Sequence, residues 1–136
     1  MKYMIMLSGS QNAYEAMSGR AVAGHPAWSE ADRQAMFAHM GALNDDLVAS
    51  GELVDARGLA EPNLAQRVTA APDGSPVVAN GAPEPSAEVL AGYWIVDVAG
   101  LERAYEIAAR AHRCPVPEGS PAGAPLIVRP VAEPDR

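Results

Sequence analysis

Three histidines are the side chains in this 136-residue chain best suited to moving a proton near neutral pH. His39 lies in a run where Met36, Met40, Leu43 and Leu47 recur at helical spacing. That placement suits a general base looking into a cavity between helix and sheet. The simpler reading makes it a helix-flank histidine, solvated or bonded to one acceptor. Asp55, on the segment that follows, is the acid that would orient His39. Arg57, two residues on and so on the same face of a strand, would steady a developing anion or serve as a plain structural partner of Asp55. If His39, Asp55 and Arg57 converge, the chemistry they support is cofactor-independent proton transfer. Elimination, isomerisation or cyclisation of a small molecule, aromatic ones included, is the expected reaction class.

The remaining polar clusters read as structural. His25, followed by Pro26 and Trp28, falls in a long early loop, where a surface turn is a simpler role than a lid. His112 gathers with Arg110 and Arg113 at the end of a helix, and the negative end of the helix dipole accounts for all three. Asp45 and Asp46 point about 100° apart on a helix, with no His or Glu three or four residues on, so a metal is not expected there. Cys114 follows the basic helix end, which would lower its pKa, but it has no catalytic-cysteine context and reads as a plain thiol. A glycine-rich phosphate loop, a dinucleotide fingerprint and a nucleophilic serine elbow are all missing, so no cofactor is expected.

Periodicity places these residues on elements. Residues 2–8 read as a central strand, with Tyr3, Ile5 and Leu7 on one face and Met4 and Met6 on the other. A long polar connection, 9–27, follows and is weakly helical around 13–17. Ser29 with Asp32 forms a capping box for a helix over 29–50, its apolar stripe flanked by Phe37 and Val48 and its end marked by Gly51. Residues 52–59 form a strand with Leu53, Asp55, Arg57 and Leu59 on one face. Short strands at 65–70 and 76–79 flank Pro72-Asp73-Gly74 as a hairpin. Residues 92–98 form the strongest strand, where Tyr93, Ile95 and Asp97 alternate with Trp94, Val96 and Val98. A second helix over 100–112 carries Leu101, Ala104, Tyr105, Ala108 and Ala111 on its stripe, and a strand over 126–131 closes the chain. Asp97 and Arg129 are expected to pair across neighbouring strands. This order gives an α+β, ferredoxin-like domain over 1–132, mostly antiparallel, with two helices on one face and a short tail at 133–136. The uncovered sheet face predicts a homodimer with sheets face to face.

The chain resembles the YCII-related proteins, in the branch named after a DGPF sequence. The residues that carry the resemblance are Met1-Lys2-Tyr3-Met4, Gly51-Glu52-Leu53-Val54 with Gly58-Leu59, Asp73-Gly74-Ser75-Pro76, Gly92 to Val98, and Val128-Arg129-Pro130-Val131. The resemblance implies a dimeric α+β-barrel of ferredoxin-like subunits. It also implies a His–Asp pair proposed to be catalytic in some relatives, one of which acts as a dehydrochlorinase on a chlorinated aromatic. Aligning Gly51 puts the family histidine on Met40, one residue from His39, and the acid near Val54 or Asp55. The naming segment reads Asn80-Gly81-Ala82-Pro83-Glu84-Pro85-Ser86-Ala87-Glu88 here, so the family's acids are missing at Asn80 and Pro85. Ile127 replaces the Glu usual before Val-Arg-Pro.

Charge and composition narrow the partners. A formal net charge of −7 argues against nucleic acid and anionic lipid. No apolar run approaches the ~20 residues of a membrane span, and the first seven residues are too short an apolar run for a secretory signal. A single cysteine leaves no internal disulfide to form. The expected protein is cytoplasmic, with a small-molecule ligand and a second copy of itself as partners. A non-catalytic dimeric module that binds a small ligand or another protein is the alternative to the lyase or isomerase.

Overall fold

Alternation of apolar side chains along two long strands builds the centre of the molecule. The structure is a computed structural model that describes residues 1–134. Strands β1 (Lys2–Gly9) and β5 (Val89–Asp97) pair antiparallel, with Tyr3 opposite Val96 and Ile5 opposite Trp94. β2 (Leu53–Gly58) adds to the outer side of β5, and β6 (Ile127–Pro130) to the outer side of β1. The four-stranded order is therefore β2-β5-β1-β6, antiparallel throughout. β3 (Gln66–Ala70) and β4 (Pro76–Asn80) form the expected hairpin as a separate two-stranded ribbon. The α+β, ferredoxin-like reading holds.

Helix α2 (Glu30–Ala49) starts where Ser29 and Asp32 exchange side-chain to backbone hydrogen bonds of 3.1 and 2.8 Å. Its Leu43 and Leu47 are buried with Met40 packed beside them. Helix α3 (Leu101–His112) contributes Ala104, Ile107 and Ala111. Both helices cover the sheet face that carries Tyr3, Ile5, Trp94, Val96 and Val98. The indole N–H of Trp94 donates to Asn44 Oδ1 at 2.8 Å and pins α2 to the sheet. Glu52, at the entry to β2, forms a two-point ion pair with Arg103 of α3, both contacts at 2.8 Å. Those hydrogen bonds, with one from Ser50, hold the Glu52 carboxyl down to about 2.

The structure corrects several local expectations. The stretch expected to be weakly helical around 13–17 is a full third helix, α1 (Gln11–Met17), capped by the buried Ser10 and followed by a tight Val22–His25 backbone bridge. The stripe of α3 is rotated from the expected one. Ile107 is buried, whereas Tyr105, about 100° round from Ala104, is exposed, as is Leu101. Phe37 and Val48 flank the α2 stripe on its solvent side. A bulge at Val54 puts Leu53 opposite Val96 and Asp55 opposite Ile95, so Leu53 faces the core and does not share a face with Asp55. Asp97 and Arg129 cannot pair, because β1 lies between their strands. Asp97 instead accepts from the N-terminal amine at 3.2 Å, and Arg129 sits opposite Met4. The last two residues of the expected 133–136 tail lie outside the described residues.

Candidate functional site

The sheet face away from the helices carries Lys2, Met4 and Met6 of β1, Tyr93, Ile95 and Asp97 of β5, Asp55 and Arg57 of β2, and Ile127 and Arg129 of β6. Among the described residues nothing covers it completely, and Met4, Met6, Tyr93 and Ile95 all remain partly accessible. Three polar groups meet at its β2 edge. Tyr93 Oη donates to Asp55 Oδ2 at 3.2 Å, and the Arg57 guanidinium lies 3.4 Å from Asp55 Oδ1. Arg57 also donates to the Ala56 carbonyl at 3.1 Å. Burial, then the hydrogen bond to Asp55, pushes the Tyr93 hydroxyl up, which keeps it a neutral donor at pH 7.

Two features of the backbone bring this trio together. The bulge at Val54 turns Asp55 onto the open face, in line with Arg57 and Tyr93. Gly92 lets β2 come close: a Cβ there would stand 2.9 Å from the Arg57 carbonyl oxygen. Two residues past Arg57, Leu59 joins Pro62, Leu64, Pro83, Val89 and Leu90 in walling an open apolar groove of about 420 Å³. Leu90 lies opposite Ser8, and a second bulge, between Leu7 and Ser8, turns it to the open side.

His39 stands elsewhere. Its Nε2 lies 2.7 Å from the Arg110 carbonyl oxygen, which can only accept, so Nε2 carries the proton and ties α2 to α3. The sheet separates His39 from Asp55: Asp55 and Arg57 are brought together, and His39 is not brought to them. Arg110 reaches Asp46 at 2.7 Å, so this acid, on the solvated helix face expected for it, also forms a second tie between the same helices. His25 lies in the backbone bridge with Val22, and His112 Nε2 sits 3.3 Å from the Gly123 carbonyl. Burial pushes the Cys114 thiol up, opposite to the effect expected from the basic helix end. Among the described residues no group of three or more His, Cys, Asp or Glu could hold a metal, and no helix is long and apolar enough to cross a membrane.

The model of the YCII-related domain matches residues 1–120. The chain belongs to the YCII-related family. A search of curated proteins gives no match. The matched segment holds Asp55, Arg57, Tyr93 and both walls of the groove, and it stops short of β6. In this YCII-related chain, Tyr93 is the site residue that sequence reasoning missed. In the sequence it stands out only as one of an alternating row, although that row shares a face with Asp55. The groove gave no signal in the sequence, because its walls come from the end of β2, the 3-10 turn Pro62–Leu64 and the start of β5.

Proposed function

We propose that this YCII-related protein acts without a cofactor on a small, partly apolar acid, with Asp55 accepting a proton, Arg57 holding the anionic group and Tyr93 donating to the developing oxyanion. The observation that carries this reading is the meeting of Asp55, Arg57 and Tyr93 on the open sheet face, on strands whose neighbouring residues Leu59, Val89 and Leu90 wall the apolar groove. A carboxylate, a cation and a neutral hydroxyl are the parts that a lyase or isomerase needs for proton transfer next to a carbonyl. The groove, at about 420 Å³, has room for an apolar body, and Arg57 is exposed enough to present the free part of its fork to a carboxylate. His39 has no step in this scheme; it positions α2 against α3. The open face, with Met4, Met6 and Ile95 at its centre, is the surface through which two copies would associate as an α+β-barrel.

An aryl-substituted 2-oxo acid incubated in D2O tests the reading. Deuterium uptake at the carbon beside the ketone, followed by NMR, should exceed the buffer rate with the native protein. It should return to that rate with Asp55→Asn. Uptake that survives this substitution removes Asp55 from the chemistry. One observation favours the non-catalytic alternative: both Asp55 oxygens already have partners, Tyr93 and Arg57, in the resting site. Binding of the acid without any exchange would select that alternative.

A further inference from the structure

We propose that the β3–β4 hairpin is an arm whose uncharged face packs against a second copy of this chain. The proposal builds on the open sheet face as the dimer interface. Every residue of both strands is exposed, so among the described residues nothing covers the ribbon. The register sets Val68 opposite Val78 and Ala70 opposite Pro76, which gathers these four apolar side chains on one face. Arg67, the single charged residue of the two strands, lies on the other face, opposite Ala79. Val68 and Val78 are 60% and 56% exposed. A lone two-stranded hairpin is marginal in water, and natural sequences seldom leave an uncharged valine face of a ribbon unguarded.

Two observations point to a second copy as the occupant. The first is continuity. Leu64 walls the groove that Leu90 and Leu59 share with the open sheet face, and it also shares a recess with Val78 on the ribbon. One apolar surface therefore runs from Leu59 and Leu90, at the end of the sheet, past Leu64 to Val78, and a copy seated on the sheet extends along it. The second is area. Four strands at ~4.8 Å spacing and about 20 Å long present roughly 400 Å² in plan. A stable interface buries about 800 Å² of accessible surface on each partner, and the ribbon, exposed along both strands, adds to what this narrow sheet face supplies. Because the base of the arm walls the groove, the partner's hold on the arm also shapes the ligand site.

Sedimentation equilibrium on the full chain, with hydrogen exchange of the native protein, tests this. The double substitution Val68→Glu and Val78→Glu should weaken self-association at least tenfold. At dilutions where both proteins are monomers, their thermal unfolding should coincide, since both positions are exposed. In the native protein, the Val68 and Val78 region should exchange more slowly at dimeric than at monomeric concentrations. A native protein that stays monomeric sinks the dimer interface and the arm together. A native dimer whose association is unchanged by the double substitution, or whose arm exchanges equally at both concentrations, overturns the arm alone. Either of these last results leaves the ribbon to an unrelated partner.

Discussion

At the residue scale, the Glu52–Arg103 ion pair gives the clearest pH signature. The Glu52 carboxyl is held at about 2, against an ordinary value of 4.5. A depressed carboxylate contributes stability that is fully present above the unfolded value and is lost as pH falls from 4.5 toward 2. Arg103 is well exposed, so solvent screening reduces the contribution to about 1 kcal/mol. Arg103→Met should therefore lower stability by that amount at pH 7 in urea melts, and its gap to the native protein should narrow below pH 4.5. A gap of equal size at pH 3 would place the loss in the packing of the arginine stem instead. His39→Ala removes one hydrogen bond to a carbonyl and should cost about 1 kcal/mol. It should leave uptake of the oxo acid untouched, whereas Arg57→Gln should weaken that uptake at least tenfold, read by titration calorimetry. Asp55 and Arg57 were legible in the sequence as neighbours because a strand repeats every two residues. His39 was misplaced relative to them because helical periodicity does not say whether a flank residue turns toward the sheet or toward the next helix. The answer depended on where α3 lies, since the Arg110 carbonyl is what His39 meets.

At the element scale, two contacts hold the site's strands in place. Asn44 accepts from the Trp94 indole, so Asn44→Ala leaves a buried donor without a partner and should cost about 1–3 kcal/mol in denaturant unfolding. Gly92→Ala should be costlier to the site than to the fold as a whole. Its new methyl would press on the Arg57 carbonyl, moving β2 and with it Arg57 away from Tyr93, at about 1–3 kcal/mol of stability. The check is binding of the oxo acid measured below the melting range; native affinity in that variant would mean that β2 does not need its close approach. Most elements were legible because caps, turns and alternation are local: Ser29 with Asp32, Pro72-Asp73-Gly74, and the Trp94, Val96, Val98 row. The bulge at Val54 was not, because a one-residue insertion leaves the apolar pattern of a short strand intact. Only its pairing with β5 reveals it. The rotation of α3 escaped for a related reason: Tyr105 and Ile107 are both apolar enough to face inward, and the volume available over the sheet chose Ile107.

At the scale of the whole molecule, the helices occupy one side of the sheet and leave Met4, Met6, Tyr93 and Ile95 on the other. Burying such a face removes apolar surface from water, the main favourable contribution to association. Ile95→Lys sets a charge at its centre and should turn a dimer into a monomer near 14.2 kDa by light scattering, with the fold intact because Ile95 lies outside the helix-side core. A dimer that persists would mean that the two copies meet through another surface.

The amino-acid sequence alone determined the α+β class, the family, the two main helices, the hairpin and the two-faced character of β1 and β5. The family rests on the resemblance of its segments; the others follow from period and from local capping or turn chemistry. The tertiary structure alone decided the strand order that separates Asp97 from Arg129, the tie between His39 and α3, and the meeting of Tyr93 with Asp55 beside the groove. Each depends on which strands become neighbours and on which side of the sheet the helices settle. Those choices are made by packing between residues far apart in the chain, and no local pattern carries them.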